Sequence, residues 1–135
     1  MRISLRSGEK IYINGAVLRV DRKVSLELLN DATFLLEAHV MRPEDATTPL
    51  KQLYFIVQLM LMDPADGAAR EMFERSIVLM LASYDNAEIV GGLQSIDKLV
   101  GAKRTFDALK AIRNLFSIEA KIMTGEKISV PTQAA

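Results

Sequence analysis

The 135 residues contain no cysteine, no tryptophan and a single histidine. Without thiols there is no disulfide, no thiolate nucleophile and no thiolate metal site. Any imidazole ligand set or Ser-His-Asp relay would rest on His39 alone. Its neighbours Leu36, Val40 and Met41 read as the surroundings of an ordinary, partly buried histidine. Net charge is missing too, with seventeen basic and seventeen acidic side chains. That balance excludes a uniformly basic nucleic-acid binder and leaves room only for a local patch. The longest apolar run, FIVQLMLM, is too short to span a bilayer and is interrupted by Gln58. The opening MRISLRSGE lacks the apolar core of a secretory signal. These absences point to a soluble, cytoplasmic protein.

What is present is largely aliphatic. Half of the residues are hydrophobic, a quarter are charged, and seven are Met, which suits one globular domain with an adaptable core. Charge is unevenly spread. Residues 1–23 carry six basic and two acidic groups, whereas residues 43–135 carry ten and twelve.

The N-terminal segment alternates as strands do. ISL is followed, across a turn at Ser7-Gly8-Glu9, by KIYIN and then AVLRVD. Asn14-Gly15 between the last two is a strong hairpin signal, because both residues tolerate positive φ. Lys10, Tyr12 and Asn14 fall on one face, Ile11 and Ile13 on the other. Val24, Leu26 and Leu28 continue the alternation, and after Asn30-Asp31 TFLLEAHVM reads as a further strand, with a short helix as the alternative.

From Pro43 the period changes to that of helices. Thr48 is placed as an N-cap with Pro49 at the first helical position, and Asp63-Pro64 ends the helix. Leu50, Leu53, Tyr54, Val57 and Leu61 form its inward stripe. A second helix is expected over about residues 66–84, with Ala69, Met72, Phe73, Ile77, Met80 and Leu81 inward. A third holds Ile89, Leu93, Ile96 and Val100, and Gly91-Gly92 make it a weak, replaceable helix. A fourth runs from Lys103 to Met123 with Phe106, Leu109, Ile112, Leu115 and Phe116 inward. The expected fold is α+β: a small N-terminal antiparallel sheet of four or five strands over 1–42, a four-helix array over 43–123, and a flexible tail over 124–135.

A search for catalytic chemistry returns little. Glu44-Asp45 suit a helix start, where acidic groups complement the helix dipole. Asp63 and Asp66 lack calcium-loop spacing. Gly91-Gly92 follow no strand and precede no Lys-Ser/Thr pair, so they form no phosphate loop. No enzyme, metal or cofactor is expected. Lys103, Arg104, Lys110 and Arg113 on the fourth helix are diluted by Asp107 and Glu119 and read as a solvated face. The basic side of the N-terminal sheet is the remaining candidate. Arg2, Arg6, Lys10, Arg19, Arg22 and Lys23 would hold phosphates, with Tyr12 as a single ring for stacking. A merely solvated strand face is the bland alternative.

Three stretches carry a resemblance: SGEKIYINGAVLRVDRKVSLELLND, RPEDATTPLKQLYFIVQLML and DALKAIRNLFSIE. Together they resemble the flagellum biosynthesis repressor family FlbT of alphaproteobacteria, INGAVLRVDR and PEDATTPL being the most specific segments. The resemblance implies a non-catalytic, post-transcriptional regulator that associates with the leader of flagellin mRNA and alters its translation or stability. It also implies a small partner, FlaF, of opposing effect, and contact with flagellin itself. The opening hairpin is similar in pattern to the RNA-binding carbon-storage regulator CsrA. That likeness implies RNA contacts on Arg2, Arg6 and residues 19–23, and a homodimer made through strands. The rival reading is a protein-interaction module whose helices hold flagellin or FlaF.

Overall fold

The computed structural model describes residues 2–30, 32–65 and 67–125. Five strands come first: β1 (Arg2–Leu5), β2 (Lys10–Ile13), β3 (Ala16–Arg19), β4 (Val24–Glu27) and β5 (Phe34–Leu36). Asn14 and Gly15 both take positive φ, 49° and 84°, as the two-residue hairpin turn between β2 and β3 requires. Arg2 lies opposite Glu27, Leu5 opposite Val24, Lys10 opposite Arg19, and Ile13 opposite Ala16. All four pairs are centred on the Asn14–Gly15 bond. The two ladders therefore belong to one long hairpin, interrupted by a bend where residues 6–9 pass residues 20–23. There the N–H of Gly8, at a φ of 85°, and the Glu9 carbonyl both bond to Val20, so two residues oppose one.

The bend separates the hairpin into a β1–β4 ribbon and a three-stranded sheet of order β3-β2-β5. Alternation then divides the side chains between two clusters. Ile11 and Phe34 pack with Ile3 and Leu5 of the ribbon. Tyr12 and Leu35, from the other face of the sheet, join the helical core. The sheet is thus the middle layer, with the ribbon on one side and helices on the other.

The strand expected over TFLLEAHVM is shorter than its pattern. β5 stops at Leu36, and Glu37–His39 form a single 3-10 turn. Side chains of the first helix hold the chain from there. The Tyr54 hydroxyl donates to the His39 carbonyl at 2.6 Å, and the Gln58 amide brackets Met41, accepting from its N–H at 2.6 Å and donating to its C=O at 2.9 Å.

The helices are α1 (Pro49–Met62), α2 (Gly67–Ser83), α3 (Ala87–Gly101), α4 (Thr105–Arg113) and α5 (Phe116–Met123). Thr48 caps α1 through its side-chain oxygen, which accepts from the Lys51 N–H, and the expected stripe from Leu50 to Leu61 is buried. On α2, Ala69, Phe73, Ile77 and Met80 are buried, whereas Met72, expected inward, is 40% exposed. Asp66, at the expected start of α2, lies outside the described residues, as do Asp31 and the tail from residue 126.

The third helix is tightly held, not loose: Ile89, Leu93, Ile96 and Val100 are buried. Gly92 explains its glycine pair, because a Cβ there would meet Leu115 Cδ1 at 2.7 Å. The glycine admits Leu115 at the point where the fourth expected helix divides. Leu115 donates its N–H three residues back, to Ile112, at 3.0 Å, and this tightened turn separates α4 from α5.

Candidate nucleic-acid interface

The bend in the hairpin gathers most of the N-terminal cations. Two backbone bonds, Gly8 N–H to the Val20 carbonyl at 2.8 Å and Val20 N–H to the Glu9 carbonyl at 3.1 Å, fasten the arms together there. The Ser7 hydroxyl adds a bond to the Asp21 carbonyl at 3.1 Å. Lys10 lies opposite Arg19 at the end of the β2–β3 ladder, Arg6 and Lys23 line one cleft, and Arg22 lies in the β3–β4 connection beside Lys23. Arg6, Arg19, Arg22 and Lys23 are exposed and Lys10 is half-buried.

Acidic groups only partly offset this cluster. Arg22 pairs with its neighbour Asp21 at 3.3 Å, and Glu9 turns its carboxylate to the Arg6 backbone N–H at 2.6 Å. Arg6, Lys10, Arg19 and Lys23 form no ion pair with any described residue. Both long cationic stems and charged heads are thus available to a polyanion. A cleft beside the bend is lined by Ser4, Arg6, Lys23 and Leu36 together with Glu9 and Glu37. Its two carboxylates thus stand beside the Arg6 and Lys23 cations.

Two of the candidate residues lie elsewhere. Arg2 is at the far end of the ribbon, 3.9 Å from Glu27 across the ladder. Tyr12 is half-buried and packs against the helical core, on the face of the sheet turned toward α1. The fourth-helix cations are dispersed. Arg104 pairs with Asp107 at 2.8 Å, Lys110 lies over the Phe106 ring, and Arg113 lies over the Tyr54 ring. His39 is half-buried, as expected, and its pKa is held below the ordinary 6.5 by burial and then by the Arg113 guanidinium. Among the described residues, no three His, Asp or Glu side chains are grouped to hold a metal ion. None of the helices among them is long and apolar enough to cross a membrane.

Sequence reasoning placed Glu119 on a solvated face. It is in fact 1% exposed. Its carboxylate accepts from the Leu50 N–H at 2.8 Å, from the Tyr84 hydroxyl at 2.9 Å, and from the Thr48 hydroxyl. Thr48 therefore caps α1 with its lone pair while giving its proton to α5. Burial, with the hydrogen bond to Glu119 adding to it, raises the Tyr84 pKa far above its ordinary value, so the phenol stays a donor. One signal was available in the sequence: Glu119 follows Ile112, Leu115 and Phe116 at helical spacing, on the apolar stripe itself.

A second surface lies on the outer side of α2. Val78 and Leu79 are 65% and 68% exposed and line an open groove with Glu71, Glu74 and Arg75. The inner side of α2 packs on α1, which leaves this apolar strip without a neighbour among the described residues.

Comparison with known proteins gives a consistent result. The family model "Flagellar protein FlbT" matches residues 1–123. A "Probable flagellum biosynthesis repressor protein FlbT" from Mesorhizobium japonicum is 56% identical over 126 residues, covering 93% of this chain and 86% of its own. One from Agrobacterium fabrum is 53% identical over 133 residues, covering 98% and 89%. A protein from Bradyrhizobium diazoefficiens, "Probable flagellum biosynthesis repressor protein FlbT 2", is 54% identical over the full length of both chains. No solved structure matches.

Proposed function

Because the chain belongs to the FlbT family of flagellar proteins, we propose that it is a non-catalytic regulator of flagellum biogenesis that binds the leader of flagellin mRNA in the cytoplasm. Binding at the bend of the N-terminal hairpin alters translation or stability of that message. The printed name of its relatives, a biosynthesis repressor, supports a regulatory role. The observation that supports the RNA reading is the grouping of Arg6, Lys10, Arg19, Arg22 and Lys23 in and beside the hairpin bend of a protein whose total charge is zero. Cations concentrated in one region attract a phosphodiester chain locally, and the neutral remainder limits indiscriminate binding.

The test is affinity for a flagellin leader RNA at two salt concentrations. Arg6→Ala/Arg19→Ala/Lys23→Ala should weaken binding by tenfold or more, on the order expected for loss of several phosphate contacts, and should flatten the salt slope. Equal affinity with an equal slope refutes this placement.

A second reading is favoured by the exposed strip of Val78 and Leu79 on α2. In that reading the helices hold flagellin or FlaF, and any effect on the message is indirect. Val78→Asp/Leu79→Asp should then abolish co-elution with either protein. Retained co-elution removes the α2 strip from consideration.

A further inference from the structure

We infer that the bend takes the phosphate backbone of base-paired RNA, and not the unstacked bases of a single strand. The inference deepens the RNA reading above and rests on it.

The first ground is the location of the aromatic rings. The chain has three Tyr and five Phe, and none is exposed. Phe34, Tyr54 and Phe73 are buried, while Tyr12, Phe55, Tyr84, Phe106 and Phe116 are half-buried. Tyr12, the ring nearest to the cationic bend in sequence, packs into the helical core. Proteins that bind single strands gain about 1–3 kcal/mol per base by stacking it on an aromatic side chain. No fully exposed ring is present for that contribution, and Tyr12, the ring of the hairpin itself, packs into the core.

The second ground is what remains once stacking is absent. A flexible single strand must be ordered by phosphate contacts alone, and that ordering opposes binding. A duplex presents its phosphates already spaced, with 2′-hydroxyls in a wide, shallow minor groove. It is recognised mainly through shape and backbone contacts. The bend matches such a target. It has cations on both arms: Arg6 and Lys10 on one, Arg19, Arg22 and Lys23 on the other. Guanidinium planes also stack on bases, but Arg6 and Arg19 stand exposed with no described ring beneath to hold them flat.

The experiment compares three RNAs of equal length with the full chain: two perfect stems of unrelated sequence, and a single strand unable to pair. The stems should bind at least about tenfold more tightly than the strand, and within about threefold of each other, as backbone recognition requires. Arg6→Ala/Arg19→Ala/Lys23→Ala should lower affinity for both stems alike and reduce the salt slope by about two to three. A strand that binds as tightly as the stems overturns the inference and leaves the RNA reading standing. So do stems that differ tenfold, because base edges are then being read. If no RNA binds, the RNA reading itself fails. The comparison among the three RNAs uses unaltered protein, so a variant that fails to fold does not blunt it.

Discussion

Glu119 and Leu50 are 69 residues apart in the chain, yet the carboxylate of one accepts the backbone N–H of the other at 2.8 Å. The contact places a carboxylate at the N-terminus of α1, where the N–H groups of the first turn lack intrahelical partners and the helix dipole is positive. It also ties α5, which has no other fully buried side chain, to the most buried helix of the protein. Glu119→Ala is expected to cost about 3 kcal/mol, because a buried N–H and the Tyr84 hydroxyl lose their charged acceptor together. Tyr84→Phe should cost about 1 kcal/mol. Urea unfolding measures both, and a loss under about 0.5 kcal/mol for Glu119→Ala is incompatible with this role.

Neighbouring glycines on α3 should respond in opposite directions. Gly91 is exposed, and a Cβ there meets nothing within 4 Å. Gly91→Ala is expected to stabilise by up to about 1 kcal/mol through helix propensity. Gly92→Ala sets a Cβ 2.7 Å from Leu115 Cδ1 and 3.3 Å from its Cγ. Leu115 is itself confined at the α4–α5 junction, so the variant should lose about 1–3 kcal/mol to overpacking. Thermal midpoints moving the same way in both variants would contradict the close approach.

Lys103 ends α3 in the left-handed region, with φ of 62°. Its N–H bonds to the Val100 carbonyl at 3.0 Å, and the Arg104 N–H bonds to Leu99 at 2.8 Å, a helix terminus that normally selects glycine. Relief of the Cβ crowding, less the added freedom of the unfolded chain, gives Lys103→Gly an expected gain of about 0.5–1 kcal/mol. Lys103→Ala should give no such gain. The urea midpoints of the two variants distinguish conformation from charge.

Acid should weaken the fold through His39. Its folded pKa is depressed by burial and by Arg113, so the unfolded chain binds a proton more readily than the native state. The associated stability is complete above the ordinary value of 6.5 and is lost as the pH falls through it toward the folded pKa. His39→Gln should therefore flatten the stability profile below about pH 6.5 and leave the profile above it unchanged. An unaltered acid slope in the variant means that His39 titrates alike in both states.

Local patterns made much of this fold legible. Asn14-Gly15 marked the hairpin because few other pairs tolerate two positive φ values, and Thr48-Pro49 marked the start of α1 by capping chemistry. The inward stripes of α1 and α3 followed from a 3.6-residue period that burial then satisfied. Where the reading missed, distant residues had intervened. Met72 fits the period of α2 yet is 40% exposed. The stretch after Leu36 alternates like a strand, yet Tyr54 and Gln58 hold its backbone from α1 instead.

The interface divides in the same way. Cations at 6, 10, 19, 22 and 23, a hairpin centred between residues 14 and 15, and the excess of positive charge at one end are all properties of the sequence alone. Ser7-Gly8-Glu9 marked the turn between β1 and β2, with Gly8 at positive φ, and the tertiary structure decided what it closes over, as Ile3 and Leu5 cover Ile11 and Phe34. It turned Tyr12 inward by docking that face of the sheet on the helices. It also buried Glu119, whose partners come from two distant segments, the start of α1 and the end of α2. Periodicity reports which residues leave water, and only the packed chain decides which groups they meet there.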